Sequence, residues 1–212
     1  MASHIEIELK WALSPTGYEQ LKQALINQMG PGIPLSQDNR FFDTVDRRLR
    51  RSLLNIRLRR ENDGLLLTCK GKLPTGPAGA HQHQEWETWL DPKLWPLIAA
   101  GDLSRTNLPL PAPIEEALAG APLMALGGFC NERLCFNHST YPAALLCLDR
   151  TNFGANRFEH ELEIESEYPE ACADKWRAQL NEWQIPFTQQ PITKFARFLN
   201  YSQNSAPESN PS

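Results

Sequence analysis

The sequence predicts an α+β domain. Seven or eight mostly antiparallel strands form one sheet that closes or nearly closes, with helices inserted between them. Three observations carry this. Several stretches alternate charged and apolar residues with period two, the pattern of a strand packed on one face. Residues 54–60 and 64–71 form the best hairpin, joined by Glu61-Asn62-Asp63-Gly64, a turn suited to a residue of positive φ. Three later segments, 129–137, 144–150 and 158–165, match the earlier strands in length and charge, so a single sheet system is simpler than two.

The elements follow in order. Residues 4–11 place His4, Glu6, Glu8 and Lys10 on one face and Ile5, Ile7, Leu9 and Trp11 on the other. Ser14 caps a helix with Pro15 in its first turn, and Tyr18, Leu21, Leu25 and Met29 recur at helical spacing before Gly30-Pro31-Gly32 ends it. Residues 39–44 are extended. Residues 46–53, with Arg47, Arg48, Arg50 and Arg51, form a short helical turn or an exposed basic loop. Pro74, Gly76, Pro77 and Gly79 make 73–84 a mobile loop before a strand at 85–90. Asp91-Pro92 opens a helix carrying Leu94, Trp95, Leu97 and Ile98. Residues 102–128, rich in Pro and Ala, contain a short helix at 114–119 and no domain boundary. An amphipathic helix spans 170–183 with Trp176, Leu180 and Trp183 on its apolar side, and a final short element covers 191–201. The domain is expected to occupy 1–202, with 203–212 a disordered tail.

Lys and Arg total 21 against 25 Asp and Glu, a net charge of -4, which argues against non-specific nucleic-acid binding as the main task. The arginine run at 47–51 has no interleaved aromatics and is read as a solvated face. No run of apolar residues is long enough for a membrane span, and Met1-Ala2-Ser3-His4-Ile5-Glu6 does not resemble a secretory signal. Cys69, Cys130, Cys135, Cys147 and Cys172 are an odd, scattered set, which points to a reducing, cytoplasmic location. His81 and His83 fall in the mobile loop with no cysteine partner and are not expected to be ligands.

The informative pattern is the sorting of charge. Glu6, Glu8 and Lys10 share a strand face, as do Arg57 and Arg59, Lys70 and Lys72, Glu85 and Glu87, and Glu161, Glu163 and Glu165. A solvated face mixes signs, whereas these groups are nearly pure, and neighbouring carboxylates on one strand repel. Cross-strand cations or a hard divalent metal must compensate them. If these faces point inward, the outer faces pack under helices. The interior then has to hold water, ions or a highly charged ligand. Arginine and lysine suit phosphate oxygens, and carboxylates plus substrate phosphates suit Mg²⁺, so the combination describes a phosphoryl-transfer site.

Glu6-Ile7-Glu8-Leu9-Lys10 resembles the Glu-x-Glu-x-Lys signature of the CYTH family, the triphosphate tunnel metalloenzymes. Phe41-Phe42-Asp43-Thr44, Arg57-Leu58-Arg59, Cys69-Lys70-Gly71-Lys72 and Glu85-Trp86-Glu87 follow in the family's order. So do Arg133, Cys147-Leu148-Asp149, Glu161-Leu162-Glu163-Ile164-Glu165 and Thr193-Lys194-Phe195. The resemblance spans about residues 4–200 and is closest to the short single-domain tripolyphosphatases of plants and bacteria. It implies an eight-stranded antiparallel closed barrel, a tunnel with a polar interior and helices outside. It also implies dependence on Mg²⁺ or Mn²⁺ and a small-molecule triphosphate substrate, in a monomer or homodimer with no nucleic-acid or membrane partner. The thiamine-specific branch carries Trp-Leu-Arg-x-Arg at the arginine strand, where this chain has Asn55.

Residue by residue, the resemblance assigns Glu6, Glu8, Asp149, Glu161 and Glu163 to the metal, with Glu165 either beside them or at the barrel mouth. Lys10, Arg40, Arg57, Arg59, Lys70, Lys72, Arg133 and Lys194 bind phosphate. Arg40 and Lys72 are placed at the tunnel mouth, the latter alternatively only solvated, and Lys194 is placed on a helical plug. The catalytic set is Glu8, Lys10, Arg59, Lys70 and Glu85. Glu8 is a metal ligand or the base for water. Lys10 reaches a terminal phosphate or tethers the glutamates, and Glu85 orients water or binds Lys70. Arg197 is expected to face solvent. Hydrolysis of tripolyphosphate to pyrophosphate and orthophosphate is the leading expectation. Thiamine or nucleoside triphosphatase, adenylate cyclase and a non-enzymatic polyanion binder are the alternatives.

Overall fold

A computed structural model describes residues 1–204. The strands are β1 (Ala2–Leu13), β2 (Ile33–Asp43), β3 (Leu54–Glu61), β4 (Gly64–Lys72), β5 (His81–Leu90), β6 (Met124–His138), β7 (Ala144–Asn152), β8 (Phe158–Glu165) and the short β9 (Phe187–Gln189). The helices are α1 (Pro15–Met29), α2 (Arg48–Arg51), α3 (Trp95–Ala99), α4 (Ala112–Leu118), α5 (Pro169–Glu182) and α6 (Lys194–Asn204). Strands run β5-β4-β3-β2-β6-β7-β8-β1, and β1 pairs back onto β5, so eight antiparallel strands close a barrel. β1 closes it in two halves: Ala2–Glu8 pair with β5 and Glu8–Leu13 with β8. Where β5 ends, β9 takes up the free edge of β1 at residues 11–13.

Closure fixes the two faces. The outward side chains of β1, β6, β7 and β8 (Leu9, Trp11, Leu146, Leu148, Leu162 and Ile164 among them) pack against Tyr18, Leu21 and Leu25 of α1 and Cys172, Trp176 and Leu180 of α5. The outward faces of β2, β3 and β4 carry a second core of Phe42, Ile56, Leu58, Leu65 and Leu67 under Leu49, Trp95, Ile98, Ile114 and Leu118. The hydrophobic driving force thus acts outside the barrel and leaves polar side chains within. Ser14 caps α1 by accepting from the Gly17 backbone N–H at 3.0 Å. Asp43 accepts from the backbone N–H groups of Leu49 and Arg50 at 3.0 and 3.2 Å, which ties α2 to the end of β2. A third, aromatic cluster closes one end: Phe195 stacks on Phe41 with centroids 4.5 Å apart, and Phe198 packs on Phe41 and Phe129.

Three strands begin four or more residues before the sequence predicts. β2 begins at Ile33 rather than 39, because Gln37, polar and outside the extended segment read from the sequence, is like Asn39 an inward-facing residue paired on both sides. β5 begins at His81 rather than 85, so the expected 73–84 loop shortens and His81 and His83 are strand residues. β6 begins at Met124, bulges at Leu126 opposite Phe41 and Phe42 of β2, and passes through Gly127-Gly128. Glycine is required at 128, where a Cβ would stand 1.7 Å from the Asn39 carbonyl oxygen. The final element is a helix reaching Asn204, and the expected tail lies outside the described residues from 205 onward. No helix among the described residues is long and apolar enough to cross a membrane.

Candidate active site

Period two sends Glu6, Glu8 and Lys10 of β1, Arg57 and Arg59 of β3, Lys70 of β4, His83, Glu85 and Glu87 of β5, Arg133 of β6, and Glu163 and Glu165 of β8 into one cavity of about 340 Å³. Asp149 of β7 and Glu161 of β8 lie buried behind it as register partners, next to Lys194. The charge groups sorted along the sequence therefore share one interior.

The wall formed by β7, β8 and β1 is acidic and is already neutralised by basic groups. Arg133 holds Asp149 bidentately at 2.8 and 2.7 Å and also contacts Glu163. Lys10 lies 2.6 Å from Glu8 and bonds Glu163. Lys194 enters from α6, with its ammonium 2.7 Å from both Asp149 and Glu163 and in contact with Glu161. Arg197, expected in solvent, is 6% exposed and pairs with Glu161 at 2.5 Å and with Glu159. Across the barrel, Lys70 donates to Glu6 at 2.7 Å and contacts Glu85. Arg57 donates to the Thr68 hydroxyl, which donates to Glu87; Arg59 donates to Asn39 at 2.9 Å. Among the described residues, Arg57 and Arg59 thus have no close carboxylate partner apart from Glu61, 3.4 Å from Arg59, and they are the cations best placed to receive an anion.

This crowding sets the protonation states. Burial, reinforced by the carboxylates of Glu6 and Glu163 and opposed by Lys10, pushes Glu8 up to about 8. Burial and the neighbouring Glu6 push Glu85 up to about 7 despite Lys70. Burial also acts on Glu6, Asp149 and Glu163. There it is overcome by Lys70 for Glu6, by Arg133 and Lys194 for Asp149, and by Lys10, Lys194 and Arg133 for Glu163, and all three carboxyls are held below their usual range. Burial beside Arg57 and Arg133 lowers Arg59 to about 10.

Three groups present oxygen or nitrogen donors within 4.8 Å of one another: Glu6, Glu8 and His83; Glu8, Glu163 and Glu165; and Asp149, Glu161 and Glu163. Carboxylate oxygens with at most one imidazole suit a hard divalent cation. Each group also touches a lysine: Lys70, Lys10 and Lys194 respectively.

Of the residues expected to bind phosphate, two lie elsewhere. Arg40 points to the opposite face of β2 from Gln37 and Phe41 and pairs with Asp38 at 3.1 Å. It is removed from the tunnel because the alternation of β2 puts 37, 39 and 41 inside. Lys72 is an exposed strand end beyond Lys70 and does not line the cavity. His83 is a cavity residue that sequence reasoning set aside. Its signal was present, since it continues the period-two series of Glu85 and Glu87. Gln37 and Asn131, buried and bonded to each other at 3.0 Å, were also missed; Asn131 orients Asp149 by donating at 2.8 Å.

Residues 4–199 match the family model described as the CYTH domain. No curated protein matches the chain. Among solved structures, a Hippeastrum protein described as a putative adenylyl cyclase with a dominant triphosphatase activity is 26% identical, with a TM-score of 0.80 over 92% of this chain and 96% of that one. A putative adenylate cyclase from Bacillus halodurans (23% identity, TM-score 0.69, 93% and 99% covered) and a protein from Pyrococcus horikoshii OT3 (16%, 0.57, 92% and 99%) share the fold. With the family's motifs distributed around one closed, charge-lined barrel and its model spanning nearly the whole length, the chain belongs to the CYTH family, the triphosphate tunnel metalloenzymes.

Proposed function

We propose that the protein hydrolyses a linear triphosphate with Mg²⁺ or Mn²⁺, with inorganic tripolyphosphate cleaved to pyrophosphate and orthophosphate. The observation that carries this is the facing of Arg57 and Arg59, almost free of carboxylate partners, across one cavity from the carboxylate groups of β1 and β8. A non-catalytic anion receptor has no use for that acidic wall. The Hippeastrum relative's described triphosphatase activity supports the same reading.

Arg57 and Arg59 clamp non-bridging phosphate oxygens, and Arg133, fixed by Asp149, presents a further guanidinium edge. A divalent cation held by Glu6, Glu8 and His83, or by Asp149, Glu161 and Glu163, would neutralise phosphate charge and polarise the phosphorus centre. Water adds to the terminal phosphorus through its oxygen. The bridging P–O bond breaks with its electron pair leaving on pyrophosphate, and the water proton passes to a carboxylate. With the cation on Asp149, Glu161 and Glu163, Glu8 stays free to be that base, its carboxyl pushed up to about 8, in the range where a base both accepts and returns a proton near neutral pH. Lys10 and Lys70 hold the surrounding carboxylates charged and oriented.

Phosphate release from a panel of triphosphates with Mg²⁺ or Mn²⁺ tests this. Tripolyphosphate should be the best substrate, and Arg59→Gln should lower kcat/KM by about 10²–10³-fold, the usual loss when a charged group serving the transition state is removed. Inactivity on every triphosphate with metal present overturns the proposal.

A further inference from the structure

Apart from the aromatic cluster of Phe41, Phe129 and Phe195, the cavity lining carries an aromatic side chain that a purely inorganic substrate would not use. β5 turns His83, Glu85, Glu87 and Trp89 inward, and the last is an indole 63% exposed on a strand face that is otherwise polar. Single exposed aromatics are ordinary on an outer surface; this one lines the same cavity as the arginines. Its register places it in their row: Trp89 pairs with Leu66 on β4, and Leu66 pairs with Arg59 on β3. Two interstrand spacings put the Trp89 and Arg59 backbones about 10 Å apart.

The ring is held in place. It rests on Gly64, at the start of β4, where a Cβ would come within 2.6 Å of Cζ3 and 3.2 Å of Cε3 of the indole. The turn that brings β3 into β4 thus keeps a bare backbone under the ring. Buried Leu66 lines the cavity beside it. Indole and leucine together form an apolar ledge at one end of a row whose other end is a phosphate clamp.

We propose that Trp89 is a stacking platform for a planar heteroaromatic ring joined to the triphosphate chain, so that the cavity takes ring-bearing triphosphates such as nucleoside triphosphates as well as the inorganic chain. This rests on the triphosphate-binding reading above and adds a specificity residue to it. Base–aromatic stacking is worth about 1–3 kcal/mol by alanine substitution, roughly 5–150-fold in affinity. It tolerates ring identity, because every such ring offers a π-face.

Equilibrium binding of adenosine and uridine β,γ-imidotriphosphates, each measured against inorganic imidotriphosphate in Mg²⁺, reads the ring's contribution as a ratio. Trp89→Ala should lower the adenosine-to-inorganic affinity ratio by about fivefold or more. Trp89→Phe should keep most of it, and the uridine ratio should fall less than the adenosine ratio. A smaller change in Trp89→Ala, or failure of the native protein to bind the nucleotide analogues, overturns the platform. If the ratios behave as expected but no triphosphate is hydrolysed with metal present, hydrolysis fails and the platform stands. If tripolyphosphate is hydrolysed and the ratio is unmoved, the platform fails alone.

Discussion

Replacing Glu163 with Gln keeps the shape of the side chain and removes one buried negative charge from among three cations. The native carboxylate, 5% exposed, contacts Lys10, Arg133 and Lys194. Removing one member of a buried ion pair commonly costs about 3–5 kcal/mol, because the partner's charge is left in a poorly solvated place. Here the partners retain other carboxylates: Lys10 keeps Glu8 at 2.6 Å, and Arg133 and Lys194 keep Asp149 at 2.7 Å. The expected loss is therefore at the low end, about 3 kcal/mol, or about 6–12 °C in melting temperature for a chain of this size. The sign with pH is fixed. The cations hold the Glu163 carboxyl well below its ordinary value, so its stabilisation is present above the unfolded carboxylate pKa and is lost progressively as pH falls from there through the lowered folded pKa. Thermal unfolding in EDTA, at neutral pH and at successive steps down from about pH 4.3, separates charge from packing. A drop that is full at neutral pH and shrinks steadily as the pH is lowered is expected. A drop that does not shrink as the pH is lowered, or a neutral shift under about 2 °C, corresponding to about 0.5–1 kcal/mol, would refute the electrostatic account.

Lys194→Met should raise the Mn²⁺ affinity of the substrate-free protein by about tenfold, since an ammonium that competes for Asp149, Glu161 and Glu163 is gone; weaker binding by calorimetric titration would contradict it. With Glu8 raised to about 8, binding of a divalent ion there must displace a proton. Affinity should climb about tenfold per pH unit up to that value, with proton release visible in buffers of different ionisation heat. The same shift predicts that metal-free stability contributed by Glu8, present below the ordinary carboxylate pKa, is lost as pH rises through about 8, opposite in sense to Glu163 and Asp149. Gly128→Ala drives a methyl into the Asn39 carbonyl and should cost about 3 kcal/mol in urea unfolding, because β2 and β6 cannot both keep their register.

The barrel was legible because its unusual feature, sorted charge on alternate positions, survives in sequence: Glu6-x-Glu8-x-Lys10 and Glu161-x-Glu163 read directly as inward faces. What was lost has the same cause. Sequence reasoning expects polar residues outside, so the extended segment read at 39–44 omits Ser36-Gln37-Asp38, which belong to β2. The strand read at 129–137 starts after Gly127-Gly128, a pair that lies within β6 and admits close strand approach. His83 was hidden by the Pro/Gly-rich stretch before it. Arg40 was misplaced by a different route: the aromatic motif beside it was right, but inward parity on β2 falls to Asn39 and Phe41. Arg197 could not be placed from sequence, since its burial depends on how α6 docks against Phe41 and Phe129.

The three lysines explain how so acidic an interior folds before any ligand arrives. Lys70, Lys10 and Lys194 each sit against one of the carboxylate groups suited to a divalent cation. Without them, repulsion among buried carboxylates would raise pKa values until the groups took up protons, as Glu8 and Glu85 already do in part. A cation entering one of these groups replaces an ammonium that must then find new anions, and a triphosphate supplies them a few ångströms away. Metal and triphosphate should therefore bind with positive coupling. Each removes part of the cost the other faces, and by linkage each should strengthen the other by the same factor.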